Sequence, residues 1–225
     1  MKTLKTNYKS NFLPHIQPIG ACFFVTFRLH DSLPRNYLDQ FRDEKNETIH
    51  YLNRHKPENY KELIAVEEKK FFKIFDESLD KVLNGVDYLK REDVAKTVVE
   101  QLKKYDGECY ELLAYCIMPN HVHILIDTRL QLSKLEFEDE ITIENYTPLY
   151  KIMQRIKGAS ARFSNLSLRR TNHTFWQRDY FDYFIRNEKE LQRVISYILE
   201  NPVKAKLVKV WDEWPFSFVK TYSDC

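Results

Sequence analysis

Apolar and polar positions along the chain fall into two regimes, one with a period of two and one with a helical period. In residues 23–29, Phe23, Val25, Phe27 and Leu29 share one face while Phe24, Thr26 and Arg28 share the other. Apolar groups on both faces predict a central β-strand. Residues 110–117 and 121–126 are two further β-prone runs, and Met118-Pro119-Asn120 between them supplies turn chemistry, which predicts a hairpin. Residues 180–186 are rich in aromatics and read as another strand. The helical period appears in residues 92–105, where Val94, Val98 and Leu102 stand at i, i+4 and i+8 before Asp106-Gly107 closes the run. It returns after Thr147-Pro148, in a helix to about Asn165 with Leu149, Ile152, Ile156 and Phe163 among its apolar members. Gly158, in the middle of that helix, predicts a close approach of another backbone. The last helix carries Leu191, Val194, Ile195, Ile198 and Leu199 on one stripe; Asn187 and Glu190 form a capping box at its start, and Pro202 is expected to stop it at Asn201.

The order strand, helices, strand, strand, helix, strand, helix predicts an α+β class. Its natural form is a ferredoxin-like antiparallel sheet with helices packed on one face. Residues 31–107 are charge-dense with helical patches such as residues 60–83, interrupted by Gly85, and form a helical insertion assigned to packing rather than chemistry. With a C-terminal tail at 209–225, the 225 residues are expected to make one domain with an insertion.

Composition narrows the class without naming a chemistry. A hydrophobic content of 43% fits a soluble globule. The first twelve residues are polar and no run approaches the roughly 20 apolar residues of a membrane span, so no membrane and a cytoplasmic location are expected. Cys22, Cys109, Cys116 and Cys225 have neither zinc-like pairing nor dense disulfide spacing, and reduced, mostly buried thiols are the default.

Net charge is only +2, so overall charge does not argue for nucleic acid, but its distribution does. From Asn145 to Arg178 there is no acidic residue, just after an acidic segment holding Glu136, Glu138, Asp139, Glu140 and Glu144. Aromatics interleave with the cations there, as phosphate tracking and base stacking would require. Lys151, Arg155, Lys157, Arg162, Arg169, Arg170, Trp176 and Arg178 are therefore candidate DNA contacts. The plainer alternatives are a solvated basic face and, for Trp176, core packing.

Candidate chemistry centres on His121 and His123, which a strand would point to one side, away from Val122, Ile124 and Ile126. Two imidazoles so placed make a claw for a metal ion. His30, His50 and His55 share no motif with a second ligand and read as solvated.

The stretch Met118-Pro119-Asn120-His121-Val122-His123 resembles the His-hydrophobic-His motif of the HUH tyrosine transposases, and most closely the REP-associated branch. Four more blocks match in order: residues 23–29, Ile156-Lys157-Gly158, residues 175–182, and Ile185-Arg186 leading to residues 197–204. Together they cover most of the chain. The resemblance implies a sheet with the histidines on a central strand and the nucleophilic tyrosine on a helix packed against it. It assigns Tyr197 as the catalytic residue, with Tyr180 and Tyr183 as competitors, and Mg²⁺ or Mn²⁺ held by His121 and His123. It also implies a phosphotyrosine link to the 5′ side of the cut, and single-stranded DNA hairpins as substrate. The REP branch carries Asn where Asn201 stands. Its carboxamide oxygen suits a hard cation and makes it a third candidate metal ligand, against the simpler reading of a helix cap before Pro202.

The expectation is a metal-dependent single-stranded DNA endonuclease and strand transferase acting at REP-like hairpins. A domesticated hairpin binder that no longer cleaves is one alternative. A metal-dependent hydrolase in which Tyr197 merely packs is another. Classical relatives work as dimers, while the insertion and the tail could cover such a face, so monomer and homodimer both stay open.

Overall fold

In the computed structural model of the chain, residues 7–9, 14–81, 85–136, 140–142 and 144–221 are described. Two compact units result: one is built from the chain up to Leu29 and from Asp87 onward, the other from His30–Val86.

The first unit is organised by strand β3 (Cys22–Arg28), every residue of which is buried. It follows a small antiparallel pair, β1 (Asn7–Lys9) with β2 (Pro14–Ile16). Helix α3 (Glu92–Lys104) leads to the hairpin of β4 (Glu111–Ile117) and β5 (His121–Asp127). A short helix, α4 (Arg129–Leu132), precedes helix α5 (Leu149–Ser167), strand β6 (Phe181–Phe184), helix α6 (Glu188–Lys204) and strand β7 (Ser217–Val219). The sheet order is β6-β3-β5-β4-β7, with every pair antiparallel. Taken without β7, that is the 4-1-3-2 order of a ferredoxin-like sheet, as the pattern predicts. The β7 strand, within residues expected only as a tail, adds a fifth strand at the β4 edge.

Helices lie around this sheet: every residue of β3 and β5 is buried, so both faces of these central strands are covered. Helix α3 packs on α5. Ser160 of α5 accepts a hydrogen bond from Trp176 Nε1 at 2.9 Å, and Trp176 stands edge-on to Phe27 with centroids 4.8 Å apart, so α5 covers the face of Phe23, Val25 and Phe27. Helix α6 rests on the other face, where Tyr197 meets Phe24 at 6.0 Å. Gly158 does not mark a close approach: it is exposed, and a Cβ there would meet nothing within 4 Å. The demanding glycine is Gly20, with φ of +63° and a notional Cβ 2.2 Å from Leu132 Cδ1.

Helix α6 starts as expected. Asn187 Oδ1 accepts from Glu190 N at 2.9 Å, while Glu190 Oε2 reaches back to Arg186 N at 3.0 Å. It does not stop at Asn201, however; the helix runs through Pro202 to Lys204. Proline removes one N–H and hence one bond, and in the last turn the ladder re-forms at once, with Ala205 N donating to Asn201 O at 2.9 Å.

The second unit, His30–Val86, is an α-helical hairpin of α1 (Arg35–His55) and α2 (Tyr60–Lys81); it is shorter than the expected 31–107 because α3 falls in the sheet-bearing unit. Phe41 packs edge-on against Phe71 at 5.5 Å and meets Phe75 at 5.6 Å. His50 and His55 are exposed on α1, and His30 pairs with Asp31 at 2.9 Å. Among the described residues, no helix is long and apolar enough to cross a membrane. Cys22, Cys109 and Cys116 are buried thiols; Cys225 lies outside the described residues.

Candidate metal and nucleophile site

The hairpin brings the two histidines together by strand geometry alone. Both rings are fully buried, and their Nε2 atoms stand 3.0 Å apart. Each Nδ1 has a polar partner: Asn120 Oδ1 lies 2.6 Å from that of His121, and Thr26 Oγ1 lies 2.7 Å from that of His123. The second contact depends on register, since Thr26 of β3 is the cross-strand partner of His123. Phe24 stacks on His123 with centroids 5.7 Å apart.

Burial, reinforced by the nearby Lys204 ammonium, pushes the His123 pKa down to about 3, so the ring is neutral at neutral pH. A neutral imidazole is a ligand rather than a repelling cation. The spacing also suits a metal. Two donors about 2.1 Å from one ion and separated by roughly 90°, as in an octahedral site, lie about 3.0 Å apart. The donor set therefore fits a divalent cation held between the two Nε2 atoms.

Of the three candidate tyrosines, Tyr197 meets a histidine ring directly. It stands edge-on to His123 with centroids 5.8 Å apart and is half-buried. Lys204 Nζ lies over the same ring, 5.0 Å from its centroid. Tyr183 packs on Phe24 at 5.4 Å, and burial raises its pKa well above the usual phenol range, which opposes formation of a phenolate. The Tyr180 hydroxyl accepts from Gln17 Nε2 at 3.1 Å, and Lys157 Nζ lies 5.4 Å over its ring.

Asn201 is buried one turn after Tyr197, and its Nδ2 donates to Tyr197 O at 3.3 Å. The nitrogen is the atom so engaged, and the oxygen is the one a cation would take. Because α6 continues past Pro202, Asn201 is inside the helix, not its cap.

The candidate DNA contacts divide. Arg155, Arg162, Arg169 and Arg178 are exposed, and Lys151 is half-buried. Lys157 is not a free surface cation: its ammonium donates to Gln177 O at 2.8 Å and Arg178 O at 2.7 Å, and burial lowers its pKa to about 8. Arg170 lies over the Tyr88 ring at 4.4 Å. Trp176 is corrected to the core. Its ring is 5% exposed between Phe27 and Phe175, with its N–H engaged by Ser160, and offers no face to a base. Arg155 and Arg162 ride α5, on the face of the sheet away from Tyr197. Sequence reasoning missed Thr26 and Asn120. Thr26 is the one neutral polar residue of β3, and Asn120 was absorbed into the turn.

No protein-family model matches the chain. Over 108 residues it is 30% identical to a Haemophilus influenzae protein provisionally named a REP-associated tyrosine transposase; the match covers 48% of this chain and 58% of that protein, less than two thirds of its length. A second Haemophilus influenzae protein, named only as uncharacterized, is 28% identical over 127 residues, covering 47% of this chain and 67% of its own. A solved structure of a REP-associated tyrosine transposase bound to a REP hairpin aligns with 93% of this chain and 80% of its own, at a TM-score of 0.43 and 16% identity. The motif blocks and the sequence match agree, and the chain is similar to the REP-associated tyrosine transposases.

Proposed function

We propose that the chain is a metal-dependent enzyme that nicks and rejoins single-stranded DNA at hairpins through a covalent phosphotyrosine. The observation that carries this reading is the meeting of three rings on one face of the sheet. His121 and His123 converge at 3.0 Å, and Tyr197 stands beside His123 at 5.8 Å between centroids. His121 and His123 would hold Mg²⁺ or Mn²⁺, with Asn201 Oδ1 as a third ligand. When bound, such an ion supplies Lewis-acid polarisation of a phosphodiester and orients it for in-line displacement.

The rest follows from the chain's own groups. The Tyr197 oxygen attacks the phosphorus and a DNA oxygen leaves as the free 3′-hydroxyl, so one phosphoester replaces another and attack by a 3′ end reverses the step. Lys204, over the Tyr197 ring, meets the negative charge the phenol takes on as it loses its proton. Tyr197 and Asn201 share helix α6, so a single docking of that helix on the sheet positions both. Exposed Arg169 and Arg178, with Arg155 and Arg162, are cations for the phosphate backbone. The name of the 30% identical Haemophilus influenzae protein, a REP-associated tyrosine transposase, supports tyrosine-based chemistry on DNA associated with REP elements.

The test is to mix the protein with end-labelled hairpin DNA and Mn²⁺ and to look for a denaturant-resistant protein–DNA band. Wild type should form it and Tyr197→Phe should not, while binding the hairpin within a few fold. An adduct in the Phe variant would move the nucleophile to another tyrosine, and tight binding with no adduct from wild type would make the chain a hairpin binder.

A further inference from the structure

We propose that the sugar–phosphate backbone of the hairpin stem crosses the exposed face of α5, with Gly158 as the point of closest approach. This deepens the hairpin-DNA reading above and rests on it. A glycine inside a helix is destabilising relative to alanine, because it has more backbone freedom to lose on folding. Two features of a fold can require one: a left-handed backbone, or a neighbour that leaves no room for a Cβ. Neither holds here. Gly158 lies within α5 and has no positive φ, and among the described residues a Cβ built on it would meet nothing within 4 Å. It is also exposed. The chain itself makes no use of the missing side chain, so the space is open to a partner arriving from solvent.

The surroundings say what kind of partner fits. At 100° per residue, Arg155, Gly158, Ala159 and Arg162 share one face of α5, and both arginines are exposed. Seven residues place the arginines about 10.5 Å apart along the axis, with the low ground of Gly158 and Ala159 between them. Helix α5 carries no acidic residue. Lys157 does not fill the gap, since its ammonium donates to the carbonyls of Gln177 and Arg178 at 2.8 and 2.7 Å. That contact also ties the backbone of Arg178, a third exposed cation, to α5 at the level of Gly158. Against these cations stands Asp179, whose carboxylate acts on Lys157. A polyanionic ridge fits this relief: it settles on the glycine, and a guanidinium on either side forks a phosphate. A protein partner would instead want a large apolar anchor at the centre, and between the two arginines the exposed positions hold nothing bulkier than alanine. Phe163 and Leu166, both exposed, lie beyond Arg162.

The test compares Gly158→Ala and Gly158→Gln with wild type in the full chain. Binding of labelled hairpin DNA is read by fluorescence anisotropy in chelator, across a salt series. Both variants should melt at or above the wild-type temperature, because the helix gains propensity and the new side chain meets nothing. Gly158→Gln should nevertheless weaken hairpin binding by about 10-fold or more, the equivalent of losing a hydrogen bond to a charged phosphate, with a smaller loss for Gly158→Ala. It should also flatten the salt dependence by roughly 0.9 for each stem phosphate held out of reach, although no charge has been removed. Wild-type affinity and slope in Gly158→Gln, or a lowered melting temperature in both variants, would overturn the crossing while leaving hairpin binding in place. Sedimentation without DNA adds a further check: self-association of wild type that Gly158→Gln abolishes would assign the face to a second copy of the chain and overturn the proposal. Wild type that binds no hairpin DNA would overturn the hairpin reading and the crossing with it.

Discussion

At the scale of single residues, burial sets the charge of His123, and the consequence for stability has a definite sign. Its pKa falls from 6.5 to about 3 on folding, so between those values the unfolded chain binds the extra proton. The stability tied to the neutral ring is complete above about pH 6.5 and is lost as the pH falls toward 3. In chelator, wild type should lose melting temperature on acidification through that window more steeply than His123→Gln. Parallel curves would mean that other groups carry the acid sensitivity. Asn120 makes a second case, because its Oδ1 lies 2.6 Å from His121 Nδ1 and can accept from it. Asn120→Leu should weaken Mn²⁺ binding by about 10-fold or more, and Asn120→Asp, which can still accept, should retain it. Equal loss in both variants would assign Asn120 to the turn instead. For Asn201, the carboxamide oxygen is the proposed ligand, so Asn201→Ala should raise the Mn²⁺ required for half-maximal cleavage without lowering the metal-free melting temperature. A lower melting temperature with an unchanged metal requirement would make the residue structural.

At the scale of elements, the two devices that position α6 and β3 can be probed away from the chemistry. Asn187→Ala removes the acceptor for Glu190 N and should lower stability by about 1 kcal/mol, seen in denaturant melts. Adduct formation below the melt should survive, because Tyr197 lies beyond the first turns that the cap protects. An unchanged melt would show that packing alone holds that end. Gly20→Ala combines a left-handed backbone, φ of +63°, with a Cβ that would sit 2.2 Å from Leu132 Cδ1. Gly20 N also donates to the Tyr146 hydroxyl at 2.9 Å, tying the entry of β3 to the segment before α5. That variant should cost about 2 kcal/mol, and a neutral result would mean that Leu132 rotates away at little cost.

At the scale of the whole sheet-bearing unit, the layers decide which cations can act where. Arg155 and Arg162 ride α5, behind the sheet from Tyr197. Reversing both charges should therefore weaken hairpin binding and flatten its salt dependence, by roughly 0.9 for each duplex-stem phosphate that is no longer neutralised, yet leave the cleavage rate at saturating DNA unchanged. An unaltered slope would mark them as a solvated face only. Much of the architecture was legible in the chain itself: the two apolar faces of residues 23–29, the i and i+2 histidines, the cap at Asn187, and Tyr197 one helical turn before Asn201. Each of those is a local periodicity, and periodicity states which side of an element is apolar or which side chains it gathers. It does not state what covers that side. Only the tertiary structure put α6 on the histidine face and α5 on the other, buried Trp176 against Phe27, turned Lys157 onto the carbonyls of Gln177 and Arg178, and carried α6 through Pro202. Strand register, which depends on packing between segments about a hundred residues apart, set Thr26 beside His123. The residues that bear the chemistry were thus written in local pattern, while the residues that hold them in place were chosen by packing between distant segments that no local pattern contains.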